Sequence, residues 1–474
     1  MAASRARFQR PRHFDRNLVV IGAGAAGLVA AYLGATLRAR VTLIEAARMG
    51  GDCLNSGCVP SKALIHAADA GLDFAAARAR IKAAIAAIAP HDSSARYRAL
   101  GVDVREGHAR LLDPWRVEIG GEVLTTRAIV IAAGAAPLIP PIPGLAAGPF
   151  VTSETLWDLD ALPRRLVVLG GGPIGCELAQ AFARLGAEVT IVELAERLLV
   201  REDDEVSAEL AQAMARAGIT VLTGHRARAV VRDGSRFTLA IEGAEGGRHL
   251  PFDRLLVAVG RKPRITGYGL EEIGVTPTAR GTIATDPWLR TNYPHILACG
   301  DVSGPFQFTH VAGFQGGYAA LNGLFGGLWR FRPAYRAVPA VTFTTPEIAR
   351  VGLNEREARD AGIAHEVTRY AFAELDRALI EGESEGFVKL LTAPDRDRLL
   401  GATIVGRGAG EMLAEATLAM QNRLGLRKIL ATIHPYPTRS EALRAAAGLW
   451  RQHHASARAL GWLERLHAWR RGSG

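Results

Sequence analysis

The sequence predicts an α/β fold, and three observations carry that reading. A pattern of apolar strand, glycine-rich turn, helix, second strand and terminal acid occurs twice. A third apolar strand, from Ile296, ends in Gly300-Asp301. The length of 474 residues exceeds what one hydrophobic core organises, so about three domains are expected.

In the first copy Leu18 to Ile21 is a short apolar strand, followed by Gly22-Ala23-Gly24-Ala25-Ala26-Gly27 and an Ala/Leu-rich helix. Val41 to Ile44 then runs into Glu45. The second copy has Leu166 to Leu169, Gly170-Gly171-Gly172-Pro173-Ile174-Gly175, a helix, and Val189 to Val192 running into Glu193. In both, the acid stands 23 positions after the first glycine. The first glycine permits a tight turn, the second lets backbone N–H groups approach a pyrophosphate, and the third lets helix and strand pack closely. The carboxylate accepts hydrogen bonds from ribose hydroxyls. Strand, turn, helix, strand and acid in this order define two Rossmann-like dinucleotide-binding domains. Two dinucleotides in one chain point to a flavin and a nicotinamide. Asp301 is placed to close the sugar side of the first, so the segment after about residue 266 returns to the first domain. Gly134 and Gly260 are assigned to cofactor binding as well.

Composition sets the class. A charged fraction of 22% beside 49% hydrophobic residues excludes a disordered chain, and four cysteines exclude a disulfide-stapled secreted scaffold. The net charge of +10 rests on arginine, since Lys62, Lys82, Lys262, Lys389 and Lys428 are the only lysines. The arginines are scattered, not clustered into an arm, so no nucleic-acid partner is expected. Met1 to Arg16 carries Arg at positions 5, 7, 10, 12 and 16 with no apolar core, which reads as a loose basic tail and not a secretory signal. The expected location is cytoplasmic. The uncharged run from Ala128 to Glu154 contains Pro137, Pro140, Pro141, Pro143 and Pro149, which excludes a lipid-exposed helix. It reads as a buried strand, Ala128 to Ala132, followed by a crossover between domains.

Directly after the first nucleotide fold comes Cys53-Leu54-Asn55-Ser56-Gly57-Cys58-Val59-Pro60-Ser61-Lys62. The spacing does not match a structural zinc loop and no second cysteine pair completes one, so no metal site is assigned. A redox pair fits a loop wound at a helix start, where the positive helix end favours the thiolate. Lys62 offers a compact charge suited to a flavin ring, with Glu177 as its expected partner. Cys176 and Cys299 read as small packing residues.

These motifs resemble the class I pyridine nucleotide-disulfide oxidoreductases, the family of dihydrolipoyl dehydrogenase, glutathione reductase and mercuric reductase, over nearly the whole length. The Cys53 to Lys62 motif, the two repeats, Val259-Gly260-Arg261 and Gly300-Asp301 follow in the family's order. The resemblance implies FAD on the first fold, NAD(P)H on the second and a C-terminal α+β dimerisation domain that makes a homodimer. Cys58 is then the thiolate beside the flavin, Cys53 the thiol that meets substrate, and Lys62 pairs with Glu177. The expected division is residues 1–150 with 266–335 for FAD, 151–265 for NAD(P), and 336–474 for dimerisation. Pro339 to Thr344 resembles the start of that last domain.

His434-Pro435-Tyr436-Pro437-Thr438-Arg439-Ser440-Glu441 departs from the dithiol enzymes. There a histidine precedes the Pro-Thr pair and is held by the glutamate; here Tyr436 stands in that place, with Glu441 retained and His434 two positions before. A phenol titrates near ~10 and an imidazole near ~6.5, so Tyr436 is a poor base at neutral pH. Mercuric reductases carry tyrosine there, which makes Hg(II) the leading acceptor. A dihydrolipoyl dehydrogenase-like dithiol reaction is the second reading, and electron donation to a membrane protein the third. The mercuric subgroup's C-terminal cysteine pair is missing, Cys299 being the last cysteine. Glu193 favours NADH over NADPH, with Arg197 and Arg201 the nearest candidates for a 2′-phosphate. Trp450, Leu460, Trp462, Leu463, Leu466 and Trp469, with arginines between, read as a basic amphipathic helix that packs on the dimer or touches a membrane weakly.

Overall fold

The structure is a computed structural model and describes residues 8–472. The first seven residues of the basic tail lie outside the described residues. Backbone contacts divide the chain into two compact units, Met1–Glu196 with Ala217–Ala334, and Arg197–Arg216 with Tyr335–Gly474.

The first unit is built on two sheets with parallel cores, the first extended by two antiparallel strands, Arg116–Ile119 and Arg110–Asp113. β1 (Arg16–Ile21), β2 (Val41–Glu45), β3 (Asp103–Glu106) and β6 (Glu122–Ile131) pair in parallel in the order β3-β2-β1-β6. β17 (Ile296–Ala298) adds to the far side of β6, bringing the Gly300-Asp301 end of the chain into the first sheet. Leu18, Val19, Val20, Ala128, Ile129 and Leu297 are fully buried, as continuous apolar runs covered on both faces require. The second sheet has β9 (Arg165–Leu169), β10 (Glu188–Val192), β11 (Thr220–Leu222), β15 (Arg254–Val257) and β8 (Phe150–Thr152), all parallel. Leu18 pairs with Val41 and Leu166 with Val189, the same separation in both folds. That register sets each terminal acid beside the first glycine of its own turn, and Gly22 N–H donates to Ile44 C=O while Gly170 N–H donates to Val192 C=O.

The proline-rich crossover forms no helix beyond one short 3₁₀ turn. Its first strand, β7 (Ala135–Pro137), pairs with β16 (Arg261–Pro263) in a two-stranded ribbon. Among the described residues no helix is long and apolar enough to cross a membrane.

The second unit is a five-stranded antiparallel sheet whose strands lie in the order Pro339–Thr342, Ile348–Gly352, Leu399–Val405, Phe387–Thr392 and Glu366–Ala371, packed against helices around Leu413, Ala446 and Trp450. Residues 197–216, placed by the sequence within the nucleotide-binding segment, group with this unit instead. The reason is ionic: Lys389, 1% exposed, donates to Asp203 and Glu205 at 2.5 Å each and to Glu355 at 3.3 Å. The single amphipathic helix expected through Trp450 and Trp469 is two helices. Glu441–His453 buries Trp450 in the core, and a break at Ala455 precedes the last helix, Ala457–Arg470, whose first turn Ser456 caps.

Candidate active site

The two glycine turns have the same stereochemistry. Gly22 and Gly170 have φ of +102° and +111°, and a Cβ there meets the carbonyl oxygen of Ala132 at 2.4 Å or of Ala258 at 2.5 Å. A Cβ on the third glycine, Gly27 or Gly175, meets the carbonyl of the first at 1.7 or 2.0 Å. The middle glycine differs: Gly24 has only Gly51 Cα at 3.8 Å, and Gly172 nothing within 4 Å. First and third glycines therefore serve chain packing, and the middle one keeps open space in front of a helix N-terminus. Neither helix, Ala25–Thr36 nor Pro173–Arg184, receives a side-chain cap. Their first amides remain available to an anionic group.

The acids are set in the same way. Glu45 accepts from Ala23 N–H at 2.6 Å and Ala47 N–H at 2.8 Å; Glu193 accepts from Gly171 N–H at 2.5 Å and Ala195 N–H at 2.7 Å. Each carboxylate is oriented by its own turn. Gly134 and Gly260 introduce the two strands of the β7–β16 ribbon, both with positive φ, and accept from Arg264 and Leu138 N–H.

The sulfur site is assembled by one short helix and the start of another. Cys53 lies in the helix Gly51–Asn55 and Cys58 opens the helix Cys58–Asp69. Trp157 Nε1 braces the loop between them by donating to Ser56 C=O at 2.9 Å. The Cys53 thiol hydrogen-bonds to Cys58, which is the main reason that Cys58 is pushed down to about 5. Burial opposes the shift, while the Thr309 hydroxyl at 3.4 Å and the charge of Lys62 reinforce it. The same hydrogen bond, with burial, pushes Cys53 well up. One sulfur is held as a thiolate and the other as its proton donor. Lys62 Nζ donates to Glu177 Oε2 at 2.7 Å, the expected partnership, and the Glu177 side chain is 7% exposed. Thr309 was missed in the sequence because it lies 251 residues from Cys58, on a helix with no motif at its start.

Asp301 lies at the end of β17. Burial pushes its carboxyl up against the pull of Arg261, whose Nε is 3.4 Å away. Arg261 also bonds Asp52, beside Cys53, and donates to Ala135 C=O at 2.8 Å, joining the Gly-Asp strand end, the ribbon and the sulfur loop. Cys176 and Cys299 are fully buried packing residues with thiols pushed up by burial.

The second unit holds His434, Tyr436 and Glu441, and it does not bring them into one pair. His434 Nδ1 faces Thr432 C=O, while Nε2 lies 3.0 Å from both oxygens of Glu415. Tyr436, 69% exposed, donates its phenol proton to Asp376 at 3.0 Å, which raises its pKa. Glu441 accepts from Thr438 N–H at 3.2 Å and so closes the turn that carries Tyr436. Arg197 is engaged by Asp204 at 2.9 Å.

Residues 16–316 match the family model for pyridine nucleotide-disulphide oxidoreductase, and 338–447 match that for its dimerisation domain. A dihydrolipoyl dehydrogenase of Thermus scotoductus is 37% identical over 91% of this chain and 96% of its own. A mercuric reductase of Streptomyces lividans is also 37% identical, over 92% and 96%. Among solved structures, the Cu(II) complex of the HOCl-induced flavoprotein disulfide reductase RclA from Escherichia coli is similar with a TM-score of 0.83 at 29% identity, covering 93% of this chain and all of that one.

Proposed function

The chain belongs to the pyridine nucleotide-disulphide oxidoreductase family, and from that premise we propose that its Cys53–Cys58 pair delivers two electrons to a soft metal ion, with Hg(II) as the leading acceptor. Enzymes of this family use FAD and NAD(P)H. The residues here fit both groups: each turn pairs a middle glycine facing open space with an uncapped helix start, and each ends its second strand in an oriented carboxylate. Gly22, Gly24, Gly27, Glu45 and Asp301 would hold FAD, with Lys62 toward its ring; Gly170, Gly172, Gly175 and Glu193 would hold the nicotinamide cofactor. FAD, when bound, supplies hydride acceptance from NAD(P)H and passes on the electron pair.

The remaining chemistry is the chain's own. The Cys53 hydrogen bond keeps Cys58 as thiolate, reinforced by Thr309 and by Lys62, whose charge is neutralised in part by Glu177. Cys53, held as a thiol, gives up its proton when a soft cation replaces it, and the two sulfurs then ligate the ion. The balance closes: the hydride of NAD(P)H yields two electrons, which take Hg(II) to Hg(0), and one proton, which is released to solvent, while Cys53 regains a proton as the metal leaves.

The observation that carries this reading is the state of Tyr436. A dithiol reaction needs a base of near-neutral pKa to shuttle a thiol proton. Tyr436 stands where that base is expected, and its proton is committed to Asp376. The phenol oxygen presents lone pairs, which suits contact with a cation. The RclA neighbour, solved as a Cu(II) complex, supports a metal acceptor. The dihydrolipoyl dehydrogenase reading is favoured by the equal identity of the Thermus relative.

The test is anaerobic NADH oxidation with Hg(II), Cu(II), lipoamide, glutathione disulfide and a quinone. Turnover should be greatest with Hg(II) and vanish in Cys58→Ser; lipoamide turnover above that of either metal sinks the proposal.

A further inference from the structure

The last helix, Ala457–Arg470, lies beyond residue 447, where the match to the dimerisation domain ends. It buries none of its residues. A helix of 14 residues gains little from propensity alone and is ordinarily held by a packed face. Here the face is formed, and among the described residues only Leu466 of its large apolar side chains is half-buried, the others being exposed.

Trp462, Leu466 and Trp469 fall at i, i+4 and i+7, with Ala459 and Leu463 beside them, and make one apolar stripe. Trp462 is 58% exposed and Trp469 72%. Arg458 and Arg465 stand four residues before the two tryptophans, so a guanidinium borders each indole along one edge of the stripe. His467, Arg470 and Arg471 add to them, against the single acid Glu464.

We propose that this helix docks the protein on an anionic lipid surface, lying in the headgroup plane. The stripe needs an apolar phase and the arginine edge needs anions within a side chain's reach, and a membrane interface supplies both. A second copy of the helix offers the same arginines and meets them with like charge. A polyanion such as nucleic acid pairs the arginines and leaves the indoles in water. The chain's net charge of +10 favours the same surface, and a dimer carries two such helices, so the contacts reinforce each other.

Flotation of the FAD-loaded protein with phosphatidylcholine vesicles, with and without phosphatidylglycerol, tests this. Binding is expected to the anionic vesicles alone and to weaken as salt is raised. Arg458→Gln and Arg465→Gln should each weaken it about fivefold, and Trp462→Ser with Trp469→Ser should abolish it. All variants should keep NADH-dependent reduction of a soluble dye and dimeric elution, which reports an intact fold. Absence of wild-type flotation with anionic vesicles, equal flotation with neutral ones, or full flotation of the tryptophan variant overturns the proposal. Loss of dimeric elution in that variant also overturns it, by assigning the stripe to a second copy, as does tighter binding to duplex DNA than to anionic vesicles.

Discussion

Removing the Cys53 thiol should cost Cys58 most of its acidity. In the structure the hydrogen bond from Cys53 is the largest influence holding Cys58 at about 5, ahead of Thr309 and Lys62. A thiolate exists above its pKa, so at pH 7 a group titrating near 5 is about 99% ionised, whereas an ordinary thiol near ~8.5 is about 3% ionised. Cys53→Ala leaves Thr309 and Lys62 to work against burial, which outranks each of them, so its midpoint should return toward that of an ordinary thiol. Thr309→Val removes a weaker contribution and should move the midpoint less. The assay is the pH dependence of Cys58 alkylation by iodoacetamide in the reduced protein, checked by thiolate absorbance. Wild type should react at a constant rate from neutral pH down to about 5, and the Cys53→Ala protein should lose rate well above that. An unchanged midpoint in Cys53→Ala, or an equal shift in Thr309→Val, refutes the assignment of the hydrogen bond as the main cause.

The glycines should separate by position. Gly27→Ala drives a methyl to 1.7 Å from Gly22 O and should give insoluble or unfolded protein, whereas Gly24→Ala, with its nearest atom at 3.8 Å, should fold and lose bound FAD, read by circular dichroism and flavin absorbance. Lys389→Met leaves Asp203, Glu205 and Glu355 facing one another and should cost about 3–5 kcal/mol near neutral pH, measured by denaturant unfolding. In wild type burial is the largest single influence on Asp203 and raises its pKa, but the Lys389 hydrogen bond and charge together with the backbone N–H groups of Arg356 and Glu355 outweigh it, so the pKa is lowered and the contribution is lost as pH falls. In the variant the backbone N–H groups of Arg356 and Glu355 still bond Asp203 but the lysine's bond and charge are gone, so its pKa rises relative to wild type and the deficit should shrink as pH falls toward the carboxylate range; a deficit that widens there contradicts the cage. Glu193→Ala should shift kcat/KM from NADH toward NADPH, since Glu193 repels a 2′-phosphate and Arg197 is tied to Asp204; an NADPH preference in the wild type overturns that choice.

What the sequence determined by itself was local in chain distance. Each nucleotide fold is written within about 30 consecutive residues, because a βαβ unit has a set length and its glycines answer to backbone sterics that no distant residue can replace. The Cys53 to Lys62 motif is local for the same reason: a helix start fixes where Cys58 sits. The Lys62–Glu177 pair was legible because each member lies in a recognisable motif. Tertiary structure alone decided what depended on convergence of distant segments. Thr309 reaches Cys58 and Arg261 reaches Asp52 only because β17 and β16 return to the first fold after the second is complete. His434 pairs with Glu415, Tyr436 with Asp376, and Lys389 gathers residues 203–205 into the C-terminal unit. A charged side chain satisfies its hydrogen bonds with whatever partner packing brings near, and linear order does not encode that choice. The last helix belongs to both categories: its stripe is visible in the order of residues, and its exposure is known only once every other element has packed without it.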